Sequence, residues 1–71
     1  MKAEMEGTVK WFDAKKGYGF INGDDGREIY VHYTGIVSEG FRTLDYGKRV
    51  EYEIADTERG REAVNVRIVR R

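Results

Sequence analysis

The sequence predicts an all-β chain, a small closed barrel of five short antiparallel strands. Three observations carry this. Glycines recur at positions 7, 17, 23, 26, 35, 40, 47 and 60 and cut the 71 residues into pieces too short for ordinary helices. The pieces between them are rich in β-branched and aromatic residues. A chain of this size buries only about 60% of the surface its unfolded form exposes, and without cysteine it has neither a disulfide framework nor a thiolate zinc site to supplement that burial. Closure into a barrel removes the exposed edges that a small open sheet would leave.

The first strand is expected over residues 7–13, and "DAKKG" turns it into the second, over 17–22. "NGDDG" at 22–26 supplies residues that tolerate positive φ, so a tight hairpin leads into the third strand, 28–32. One long connection follows, in which Phe41 and Leu44 form at most a helical turn before Gly47. The fourth strand, 49–57, and the fifth, 61–69, are joined through "DTERG". No repeat, linker or low-complexity stretch interrupts this single domain, 1–71.

Alternation assigns the faces, because side chains two apart share one side of a strand. Ile21, Ile29 and Val31 take the core face, which places Tyr18, Phe20, Tyr30 and His32 together on the wet side of neighbouring strands. Val50, Tyr52 and Ile54, with Val64, Val66 and Ile68, are expected to complete the core, so the rings are not needed for burial. Strand one resists strict alternation: it groups Trp11 with the core residue Val9, and a bulge near Lys10 is required to turn Trp11 outward.

An exposed ring cluster marks an interaction surface. Bases offer π-faces to stack on such rings, and duplexes hide those faces, so the expected ligand is single-stranded RNA or DNA. Formal charge is balanced at 13 against 13, which argues against binding by a basic field alone; Lys10, Lys15 and Lys16 nevertheless sit beside the rings, where lysine meets phosphate.

"KGYGFI" at 16–21 and "IYVHY" at 29–33, with "GTVKWFDAKKGYGFI", "VHYTGI", "EGFRTL" and "AVNVR" around them, resemble the ribonucleoprotein motifs and flanking segments of the bacterial cold-shock proteins. The resemblance runs from about 7 to 66. It implies a five-stranded oligonucleotide-binding (OB) barrel that holds single-stranded RNA and DNA, acts as an RNA chaperone, and affects transcription termination and translation. Position by position it implies stacking by Trp11, Tyr18, Phe20, Tyr30, His32, Tyr33 and Phe41, stacking or packing by Phe12, and polar contacts from Lys10, Lys16, Glu28, Arg42 and Arg59. The chain departs from the pattern in three ways. Tyr18, Tyr30 and Tyr33 replace frequent phenylalanines, Asp13 stands where asparagine is common, and "GREA" at 60–63 stands where a proline-containing "GPQA" is usual, which alters the loop that carries Arg59. Arg67, Arg70 and Arg71 make the end more basic than is usual.

Other readings are weaker. "GYGFING" lacks the helix that a Gly-rich phosphate loop requires. Glu28 and His32 lack the further groups of an acid–base site, so no enzyme activity is expected. A barrel docking proline-rich peptides is the main rival, and the lysines beside the rings favour phosphate over it. "MKAEMEG" is too short and acidic for a leader. The expectation is a cytoplasmic monomer with no metal, cofactor, membrane or small-molecule partner.

Overall fold

The structure, a computed structural model, describes residues 5–37 and 44–69. It contains β1 (Met5–Asp13), β2 (Tyr18–Gly23), β3 (Glu28–His32), a 3-10 turn (Tyr33–Gly35), β4 (Arg49–Thr57) and β5 (Gly60–Ile68). All five expected strands are present, each end within two residues of its expected place. They close in the order β1-β2-β3-β5-β4.

Four of the pairings are antiparallel, and β3 with β5 is parallel through Tyr30–Glu62 and Val31–Ala63. The parallel pair follows from counting: strands cannot alternate in direction all the way round a ring with an odd number of members. The long connection between β3 and β4 provides the crossing that a parallel neighbour needs.

Inside lie Val9, Ile21, Ile29, Val31, Val50, Tyr52, Ala63 and Val66, joined by Ile36 and Leu44 from the long connection. Ile36 reaches them because it bridges to Val66. The expected inward run of β4 and β5 needs correcting at three positions. Ile54 is 37% exposed and Ile68 43%, while Val64 is only half-buried. Ile54 lies two residues past Tyr52, the last β4 residue opposite a described β1 residue, so among the described residues it has no β1 neighbour on that side. In β5 the register steps from Glu51–Arg67 to Glu53–Val64, which inserts one extra residue, and Asn65 adopts φ +52° there. The bulge makes Ala63 and Val66 the inward pair and takes Val64 out of phase. Ile68 ends the strand at the barrel rim.

Candidate nucleic-acid interface

A second bulge builds the site. Val9 faces Ile21, but the next paired residue is Trp11, opposite Phe20, so Lys10 is the extra residue and Trp11 crosses to the outer surface. Alternation alone left the side of Trp11 open, and this is the bulge that an outward Trp11 needs. Phe12 falls opposite Gly19 and packs against the core, so it supports the rings from behind.

Gly19 makes the close approach of β1 and β2 possible. A Cβ there would lie 2.1 Å from the Trp11 carbonyl oxygen and 2.6 Å from Phe12 Cα, both backbone atoms. With the strands at this spacing, cross-strand pairing sets Tyr18 opposite His32 and Phe20 opposite Tyr30. Trp11 then lies 5.5 Å from Phe20 and 5.9 Å from Tyr18, ring centre to ring centre. Tyr30 lies 5.8 Å from Phe20 and 5.9 Å from Tyr18. The four rings form one continuous surface over β1, β2 and β3, with aromatic contacts in the favourable tilted and offset range.

His32 and Tyr33 extend it. Their rings are 4.7 Å apart. His32 Nδ1 contacts Thr34 Oγ1 at 2.8 Å and accepts from the Thr34 N–H at 3.4 Å, which fixes the ring's orientation. Tyr33 donates its N–H to the Gly17 carbonyl at 2.8 Å, and its ring lies over Gly17, where φ is +81° and any Cβ would stand 2.7 Å from Cδ1. Trp11 and Tyr33 are exposed, and Tyr18, Phe20, Tyr30 and His32 are half-buried against one another. Phe41 and Arg42 lie outside the described residues.

The charged candidates fall into two groups. Lys10, presented by the bulge, pairs with Glu28 at the hairpin end of the ring surface. Arg59 forms a two-pronged pair with Glu62 at 3.0 and 3.1 Å, on the β5 side. Lys16 is exposed, and its N–H, with that of Lys15, donates to Asp13 Oδ1 at 3.0 and 2.9 Å. Asp13 therefore organises the β1–β2 turn as well as adding negative charge near the rings. Glu62 was not legible as a functional residue. The available signal was the i,i+3 spacing of Arg59 and Glu62 around Gly60, which pairs opposite charges across the turn.

Away from the rings, Arg49 binds Asp24 at 2.7 and 2.8 Å, Glu6 at 3.0 Å and Thr8 at 3.1 Å, tying β4 to β1 and to the β2–β3 hairpin. Among the described residues there is no group of three or more acidic or histidine side chains placed to hold a metal ion, and no helix long and apolar enough to cross a membrane.

Residues 5–69 match the 'Cold-shock' DNA-binding domain family. The chain is 51% identical to a "Cold shock-like protein" of Thermotoga maritima over 65 residues, which is 92% of this chain and 98% of that protein. It is 52% identical to "Cold shock protein 2" of Lactiplantibacillus plantarum over 60 residues, 84% of this chain and 91% of the relative. Among solved structures, "drosophila Unr CSD456" superposes with a TM-score of 0.79 at 18% identity, covering 97% of this chain and 28% of that longer one, a likeness of fold.

Proposed function

This chain belongs to the 'Cold-shock' DNA-binding domain family, and from that premise we propose that it binds single-stranded RNA and DNA by stacking bases on the Trp11, Tyr18, Phe20 and Tyr30 surface. The observation that carries the reading is the outward placement of these rings at centre spacings of 5.5 to 5.9 Å, over a core that is otherwise aliphatic apart from Tyr52 and the supporting Phe12. Each ring presents a face a base can cover, and stacking of this kind contributes about 1–3 kcal/mol per base with little regard for sequence. His32 and Tyr33 lengthen the path, and Phe41 and Arg42 belong to it by family resemblance. Lys16 meets phosphate. Lys10 does so once a phosphate displaces Glu28, and Glu28 is then released to accept from a base.

Binding to unstacked bases favours the open state of weak RNA hairpins by mass action, which is the action of an RNA chaperone. Effects on transcription termination and translation follow where such hairpins act as signals. The protein works in the cytoplasm as a monomer and catalyses no reaction. The engagement of Glu28 by Lys10 and of His32 by Thr34 supports a binding rather than an acid–base role for both.

Trp11 fluorescence tests the reading. Titration with a short oligothymidine should quench it, partly retained at high salt, while a matched hairpin duplex should leave it nearly unchanged. Silence toward every single strand, with a response to a proline-rich peptide, would transfer the ring surface to peptide recognition.

A further inference from the structure

Glu62 is the one buried charged side chain among the described residues, 2% exposed. Such a group is costly unless it is paired and hydrogen-bonded, and both its oxygens are engaged. Oε2 accepts from Arg59 Nε at 3.0 Å and from Thr57 Oγ1 at 2.9 Å, and Oε1 accepts from Arg59 Nη2 at 3.1 Å. The Arg59 N–H also donates to Thr57 Oγ1 at 3.1 Å, so backbone and side chain of Arg59 are held together. Glu62 in turn is fixed by its place in β5, paired with Tyr30 across the parallel seam. The guanidinium hydrogen bonds hold the Glu62 carboxyl below the usual carboxylate range, so the clamp is charged at neutral pH.

The geometry of what remains free is specific. Of the five N–H donors of a guanidinium, two face Glu62 through the Nε and Nη2 side, leaving three. Two of them, one on each Nη, form an end-on fork suited to two adjacent acceptors, and the third points back along the Arg59 stem. Guanine presents such a pair in O6 and N7, and the guanidinium fork is its commonest specific partner. Phosphate is the other acceptor pair, but the negative charge of Glu62 offsets that of Arg59 and weakens the field that would draw phosphate in. The side-chain freedom of Arg59 is already restricted before any ligand arrives, which favours directional contacts.

We propose that Glu62 is a positioning residue that fixes Arg59 beside Tyr30, so that the free fork of the guanidinium reads the O6/N7 edge of one guanine in a strand stacked on the rings. This rests on the single-strand reading above and adds a base preference to it.

The test compares a short oligothymidine with a set in which guanine replaces thymine at one position at a time, followed by Trp11 fluorescence. One position should bind roughly fivefold tighter or more with guanine, the lower end of what a bidentate pair discriminates. Arg59→Lys and Glu62→Ala should abolish that preference, so that guanine at the responsive position binds no tighter than thymine. Glu62→Gln, which keeps one acceptor oxygen, should retain part of it. Arg59 is 46% exposed, so Arg59→Lys leaves the core untouched and keeps the test valid even where Glu62→Ala fails to fold.

Indifference to guanine at every position would overturn the proposal, as would a preference that survives in Arg59→Lys. Uniform weakening of all strands by Arg59→Ala, with the salt slope reduced by about 0.7, would assign the guanidinium to phosphate instead. Wild-type protein that ignores oligothymidine altogether would sink the single-strand reading itself, whereas binding without a guanine preference sinks the assignment to Arg59 and Glu62 alone.

Discussion

Phe20 touches rings on two sides, Trp11 and Tyr30, yet it is not part of the core. Phe20→Ala should therefore weaken single-strand binding by about 1–3 kcal/mol with only a small loss in Tm, measured by fluorescence titration and circular dichroism on the same sample. Unfolding of the variant would make Phe20 a core residue. Lys16→Ala should lower the salt slope of binding by about 0.7, the share of one phosphate contact on a single strand, and an unchanged slope would remove Lys16 from the interface. Much of this surface was legible because period-two alternation separates Ile21, Ile29 and Val31 from Tyr18, Phe20, Tyr30 and His32. The pairing of Lys10 with Glu28 was not, since it joins residues of different strands whose proximity depends on a bulge, and that of Arg59 with Glu62 had only its i,i+3 spacing as a signal.

At the level of the strands, two bulges set which residues face the ligand and which face the core. The one at Lys10 was only half legible: alternation set Trp11 and Val9 in competition for one face and left the outcome open, and the family resemblance favoured an outward Trp11. The one in β5 was hidden: Asn65 looks like an ordinary outward residue between Val64 and Val66, and nothing in the pattern marks its left-handed backbone. Asn tolerates that conformation and a β-branched residue does not. Asn65→Val should accordingly cost about 1–2 kcal/mol in urea unfolding, with Asn65→Gly close to wild type. Gly19→Ala strikes the other bulge, since the new methyl would meet the Trp11 carbonyl at 2.1 Å. A loss of about 1–3 kcal/mol or more is expected, with ring-surface binding impaired beyond what the stability loss explains.

Considered as a whole, the barrel has no disulfide, and arginine–carboxylate pairs brace its seams. Arg59 lowers the Glu62 pKa chiefly by hydrogen bonding, and Arg49 does the same to exposed Asp24. A carboxylate whose folded pKa is depressed adds stability above its unfolded value and loses it as pH falls through the folded one. Tm should thus stay level near neutrality and fall as pH drops below the ordinary values of 4.5 for Glu62 and 3.8 for Asp24. In Glu62→Gln the acid decline should be shallower, and an identical profile would remove Glu62 as its cause. The closed barrel was foreseeable from strand count and size, and the parallel β3–β5 pair follows from the odd number of strands.

Stacking of bases on the outward rings can be followed on the rings themselves. A two-dimensional NMR titration with a short oligothymidine reads it most directly, residue by residue. The Trp11 indole N–H, the Gly17 and Gly19 amides and the rings of Tyr18, Phe20 and Tyr30 should shift strongly, while Arg49, Glu6 and Asp24 on the braced side stay in place. Shifts concentrated around Arg49, with the ring signals unmoved, would contradict stacking on the rings.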